Sequence, residues 1–206
     1  YEPLGHTPLM IYQPGIEPGV RDALTTNVDI NATLYDLFAL TPRHRTHGHS
    51  LQPLLDGTAT HIRDWALSGV YGRWVHVLNG RHKYARGPVQ DSNLPLSMWS
   101  NRWSTMPVHG MPQLKLPRPD RRAHIDFMPG SDVPVLRQRF QPGDMLPYWC
   151  AGQKADWHCL YDLDNDPQEA DNRMGGAEER MMLDLLHAAL TQMEAPRDQF
   201  ERLGIG

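Results

Sequence analysis

Three aspartates, Asp162, Asp164 and Asp166, stand at alternate positions in Trp157-His-Cys-Leu-Tyr-Asp-Leu-Asp-Asn-Asp-Pro-Gln-Glu-Ala-Asp-Asn172. Carboxylates in this pattern could hold calcium, work as an acid cluster, or shape a turn. An EF-hand loop needs oxygen ligands at positions 1, 3 and 5, glycine at 6 and a bidentate glutamate at 12. Counted from Asp162, position 6 is Pro167 and position 12 is Arg173. Proline cannot make the sharp turn and a cation cannot close the cage, so a calcium loop is rejected. The segment reads instead as a strand, Cys159–Leu163, that runs into an Asp166-Pro167 turn with Asn172 near its end.

His44, His47 and His49 form a second cluster, in Arg43-His-Arg-Thr-His-Gly-His-Ser50. An H-x-H pair can bind a metal, but no carboxylate third ligand stands nearby, and the stretch reads as a solvated connection. Cys150 and Cys159 could pair across a short loop or remain reduced, and no CxxC or HxxxH spacing supports zinc. Trp99 and Trp103, with Asn101 and Arg102 between them, are more suggestive. An exposed indole can stack on a sugar ring and a guanidinium can pair with an anion. The alternative is that both indoles anchor a loop to a sheet. No G-x-S-x-G, glycine-rich phosphate loop or H-E-x-x-H is found in the sequence.

Elements must hold these residues in place. The chain has 206 residues, 40% apolar and 21% charged, enough for a packed core. Its net charge of −4 gives no electrostatic argument for nucleic acid. No apolar run approaches the ~18 residues of a membrane span. Tyr1-Glu-Pro-Leu-Gly has neither the basic nor the apolar region of a signal peptide, and no initiating Met, so a leader or a larger piece is expected in front.

Thr7–Tyr12 is a short apolar run that suits a buried strand, closed by Pro14-Gly15. In Val28–Leu40 the residues Ile30, Leu34, Leu37 and Phe38 share one face of a helix, with Asp29 as its N-cap. Trp65–Tyr71 and Trp74–Leu78 read as strands. Asn79-Gly80 then predicts a type I′ hairpin into Arg81–Ala85, with His76 and His82 as ordinary strand residues. Prolines are dense over 87–150, which predicts long ordered loops with at most short strands. A helix is predicted over 177–194, with Met182, Leu186, Ala189, Leu190 and Met193 on its stripe, and the tail is expected to pack on the surface. The residues alone thus describe an α/β edge unit, then an antiparallel sheet and a closing helix.

Four stretches, in this order, resemble the C-terminal part of formylglycine-dependent sulfatases of the alkaline-phosphatase-like superfamily. Tyr1–Gly15 is similar to the family's YEGG-x-R-x-P-x-I-x-x-P-G segment, and Asn27–Phe38 to its D-x-x-P-T-L-L-x-L helix. Gly48-His-Ser-Leu-Gln-Pro-Leu-Leu-Asp-Gly57 follows G-x-S-L-x-P-L-L-x-G. Leu160–Asn172 follows L-Y-D-L-x-x-D-P-x-E-x-x-N almost residue for residue. The sequence departs from the pattern at Pro3-Leu4, where the family has Gly-Gly, and at His6, where it often has Arg.

The resemblance implies that residues 1–60 are the C-terminal edge of a large α/β domain. Residues 61–206 would then form a small subdomain with an antiparallel sheet, proline-rich loops over 87–150 and a closing helix over 177–194. It implies a sulfuric ester hydrolase acting on a small-molecule or carbohydrate sulfate ester. Family catalysis uses a Cys or Ser in C/S-x-P-S-R, converted to formylglycine, with calcium held by Asp and Asn of a D-H-G or D-N segment; C/S-x-P-S-R does not occur here, and no segment is identified as that metal-binding one. The nucleophile and the calcium ligands are therefore expected in a missing N-terminal part, and this piece alone is expected to be inactive. His6, Trp99, Arg102 and Trp103 are the candidate substrate-binding residues. The alternatives are a phosphodiesterase or phosphonate monoester hydrolase of the same superfamily, or a non-catalytic binding module. The compartment, cytoplasmic or periplasmic/secreted, stays open.

Overall fold

The computed structural model describes residues 7–43, 45–70, 72–101, 107–108, 111–115, 120–128, 130–147 and 158–206. The protein mixes helices with small sheets and divides into two compact units. Unit 1 comprises residues 1–68, 76–84 and 159–182, and unit 2 comprises 69–75, 85–158 and 183–206.

In unit 1, α1 spans Asn27–Leu37 and the short α2 spans Gln52–Leu55. Thr26, not Asp29, is the N-cap of α1, and Asp29 is the third helical residue. The Asp29 carboxylate reaches back to accept the Thr26 N–H at 2.7 Å, the reciprocal half of a capping box. The T-x-x-D spacing carried that signal in the sequence. The expected strand at Thr7–Tyr12 does not form: these residues carry no strand, and Met10 and Tyr12 are each 90% exposed. A strand exists only as a pair, and among the described residues no second strand runs beside this run.

Strands β1 (Ala66–Gly69), β2 (Val75–Leu78), β3 (His82–Arg86) and β9 (Cys159–Asp162) form a four-stranded sheet in the order β1-β2-β3-β9. The expected hairpin joins β2 to β3, but its turn is not type I′. Positive φ is confined to Gly80 (+93°), whereas I′ needs two such residues. Asn79 instead uses its side-chain oxygen to accept the N–H groups of Arg81 (3.2 Å) and His82 (2.7 Å). Val77, Tyr84 and Leu160 on these strands are buried to 1% exposure or less.

Unit 2 carries β4 (Ser97–Ser100), β7 (His124–Phe127) and β8 (Pro134–Arg139) as an antiparallel sheet in the order β4-β8-β7. A separate ribbon pairs β5 (Pro107–Val108) with β6 (Met111–Lys115). The proline-rich stretch is thus built of strands only two to six residues long, and proline opens both β5 and β8, where a missing N–H matters least. Leu96 and Phe140 centre a small core with Leu94, Met98 and Leu146 around it.

Helix α3 (Glu178–Gln192) buries Met182, Leu186, Ala189 and Leu190 of the expected stripe, whereas Met193 lies just past the helix and is half-buried. The tail does not lie on the surface as expected. It forms α4 (Arg197–Leu203), in which Arg202 is 1% and Leu203 0% exposed. Arg202 holds this helix inward by donating to the carbonyl of Arg73, to Asn93 Oδ1 (3.1 Å) and to Gln199 Oε1 (2.7 Å).

Candidate functional site

Of the four residues expected to face substrate, His6, Arg102 and Trp103 lie outside the described residues. Trp99 sits on β4, directly opposite Arg137 of β8. The Arg137 guanidinium lies 4.5 Å from the indole centroid, a cation–π arrangement that occupies one face of the ring. Arg137 also donates to Asp126 at 3.2 Å, which helps hold the Asp126 carboxyl below its ordinary range, after the larger effect of the Phe127 N–H. A depression on the same unit is lined by Asp120, Arg121, Arg122 and Gln141. Arg122 is committed to Asp120 and to Asp144 (2.6 Å), while Arg121 stays exposed at the rim.

The acidic turn after β9 resolves into separate structural tasks. Asp162 is 2% exposed. It accepts from Arg81 Nη2 (2.7 Å), Arg173 Nη1 (3.1 Å) and Asn165 Nδ2 (2.9 Å). Arg81 above all, then Asn165, holds its carboxyl well below the usual carboxylate range. Its backbone carbonyl, not its side chain, takes the turn N–H of Asp166 at 2.7 Å. Asp166 does cap: it accepts the N–H groups of Ala170 (3.0 Å) and Asp171 (2.9 Å), which lower its pKa. Asn172 Oδ1 closes the segment by accepting from Leu160 and Met174 at 3.0 and 3.2 Å.

The β2, β3 and β9 strands gather further titratable groups in unit 1. Lys83 Nζ pairs with Glu169 at 2.8 Å, both side chains 6% exposed. His76 is pushed down to about 4, first by burial and then by the Lys83 charge, so its imidazole is neutral at physiological pH. Burial and a hydrogen bond with Cys159 raise Tyr161. Cys159 itself is a buried free thiol, and Cys150 lies outside the described residues.

A third network fastens the loop around residue 48 to α1. Asp29, fully buried, pairs with Arg63 and accepts the His49 N–H at 2.8 Å. Thr33 Oγ1 donates to the Asp29 carbonyl at 2.6 Å and accepts the Leu51 N–H at 2.9 Å. A Cβ on Gly48 would collide with the Val28 carbonyl. Apart from the Thr33–Asp29 bond within α1, these links join residues 18 to 34 apart along the chain and were not visible in the sequence.

Chemically, these networks fix shape. Most of their carboxylates and guanidiniums are committed to a structural partner. Among the described residues no group of three or more His, Cys, Asp or Glu could hold a metal ion. No described helix is long and apolar enough to cross a membrane.

The chain is similar to choline-sulfatase from Rhizobium meliloti (strain 1021): 34% identity over 90 residues, covering 41% of this chain and 18% of that protein. The match therefore spans less than a fifth of that relative's length. No family model matches the chain. The likeness supports a sulfatase-like relationship that is partial and distant.

Proposed function

We propose that these 206 residues are the C-terminal part of a sulfatase, a sulfuric ester hydrolase acting on an organic sulfate ester. Its nucleophile and cation ligands are supplied by polypeptide outside this sequence. Calcium, when bound there, would stabilise the charge on the sulfate group; the residues here contribute scaffold and pocket rim.

One observation carries the reading. Ile30, Leu34, Leu37 and Phe38 share the face of α1 and are 41–65% exposed, while the polar Asp29 and Thr33 are the helix's buried residues. Beside them in sequence, Leu9, Met10, Ile11 and Tyr12 are 44–90% exposed without strand pairing. Contiguous apolar surface of this kind marks an interaction site. An unpaired apolar run followed by a helix with an open apolar face suits the last strand–helix unit of a sheet whose other strands are elsewhere. The four family-like stretches and the partial likeness to choline-sulfatase support a sulfatase-type reading of that sheet. His6, Trp99, Arg102 and Trp103 are the proposed substrate contacts, and Trp99 would stack a substrate on the ring face opposite Arg137.

The test is to extend the reading frame upstream and purify the longer product beside the 206-residue chain. Sulfate release from an aryl sulfate by the longer product, with none from the shorter chain, is expected. Hydrolysis of a phosphonate monoester or phosphodiester in preference to the sulfate would reassign the substrate class. Turnover by the shorter chain would overturn the proposal.

A further inference from the structure

The turn between β2 and β3 holds an asparagine in a setting that favours its own conversion. Asn79 is followed by Gly80, which has no side chain to shield its backbone nitrogen, and a Cβ built there would meet nothing within 4 Å. Gly80 is exposed, and its N–H donates to no described residue. The Asn79 side-chain oxygen accepts two backbone N–H groups, from Arg81 at 3.2 Å and His82 at 2.7 Å. Paired N–H groups aimed at one carbonyl oxygen are the arrangement that stabilises an oxyanion when that carbonyl is attacked.

We propose that Asn79 is a built-in deamidation site, at which the backbone of this turn assists the reaction. The Gly80 nitrogen gives its proton to water or hydroxide and attacks Asn79 Cγ. Negative charge gathers on Oδ1, where the Arg81 and His82 N–H groups already point. The side-chain nitrogen takes a proton from water, its bond to Cγ breaks as the tetrahedral centre collapses, and it leaves as ammonia, so that a succinimide remains. Water then opens the ring at either carbonyl, to give aspartate or isoaspartate; nothing is oxidised or reduced. The two products differ in consequence. Aspartate keeps an oxygen for the same two N–H groups and adds a negative charge, whereas isoaspartate lengthens the main chain by one methylene inside a tight turn and shifts the β2–β3 register.

The experiment follows residue 79 by peptide mapping and mass spectrometry during incubation of the full chain at neutral pH, folded or unfolded in urea. Isoaspartate is scored with an isoaspartyl methyltransferase. Conversion in the folded chain is expected to be about ten-fold faster than in the unfolded chain, a modest share of what oxyanion donors supply in a dry site. It should also run ahead of conversion at Asn31 and Asn165. Asn79→Asp should abolish the mass gain at this peptide and retain the fold by circular dichroism. Equal or slower conversion in the folded chain overturns the proposal, and that comparison needs no variant to fold.

Discussion

Helices α1 and α3 carry the same apolar spacing and meet opposite fates. In α3, positions 182, 186, 189 and 190 are 0–5% exposed. In and just after α1, positions 30, 34, 37 and 38 repeat that spacing and are 41–65% exposed. What α1 buries is polar: Asp29, held by Arg63, and Thr33, held between the Asp29 carbonyl and the Leu51 N–H. Periodicity marks the face that should be covered. Whether it is covered depends on a partner surface, and among the described residues only the α3 stripe meets one. Helix α1 is thus kept in place by its polar side while its apolar side stays open.

The largest expected effect tests that polar anchorage. Asp29→Ala leaves the Arg63 guanidinium without its carboxylate and frees the Thr26 and His49 N–H groups. Unpairing a buried charge costs about 3–5 kcal/mol. The urea midpoint of the chain should fall accordingly, and an unchanged midpoint would show that α1 is held by something else. Next comes Leu186→Ala, in the fully buried stripe of α3, with an expected loss of about 3 kcal/mol by the same measurement.

Acid should find the polar part of the sheet next. His76 takes its proton only at about 4 when folded, because burial and Lys83 oppose the charge, whereas an unfolded histidine takes it near 6.5. The unfolded state therefore binds more protons between those two values. The stability contributed by neutral His76 is fully present above pH 6.5 and drains away as pH falls toward 4, by roughly 1–3 kcal/mol. His76→Phe should flatten that stretch of a stability-against-pH curve; an unaltered slope would remove His76 as its source.

The smallest effect is the sharpest comparison. Leu34→Ala, with the same chemistry as Leu186→Ala but on the 47% exposed position, should shift the 206-residue chain by no more than about 0.5 kcal/mol. It should also lower bis-ANS binding. In a longer product that covers α1, the same change should cost about 2 kcal/mol or more. Equal effects in both proteins would mean that the α1 face stays open.

Legibility followed the distance over which each feature is decided. The α3 stripe, the position of α1 and the β2–β3 hairpin are local patterns, and all three were readable. The strand expected at Thr7–Tyr12 was not realised, since a short apolar run describes one edge of a ladder and cannot supply the other. The tail looked like surface because Arg197–Leu203 is mostly polar; its inward turn rests on Arg202 meeting the Arg73 carbonyl, 129 residues earlier. Arg81 with Asp162 and Lys83 with Glu169 are likewise long-range pairs between residues that, read singly, suggest solvent. Among the proposed pocket residues only Trp99 is described, and its cation–π partner was invisible until β8 was laid beside β4.

Gly48 has a consequence for anyone who mutates this chain. The segment 45–50 is stitched to its neighbours partly through main-chain atoms, so the imidazoles of His47 and His49 are expected to be the dispensable ones. A saturation library across the segment should tolerate broad replacement at 47 and 49 and refuse nearly everything at 48. The quietest letter in Thr-His-Gly-His-Ser would then be the one a screen cannot erase.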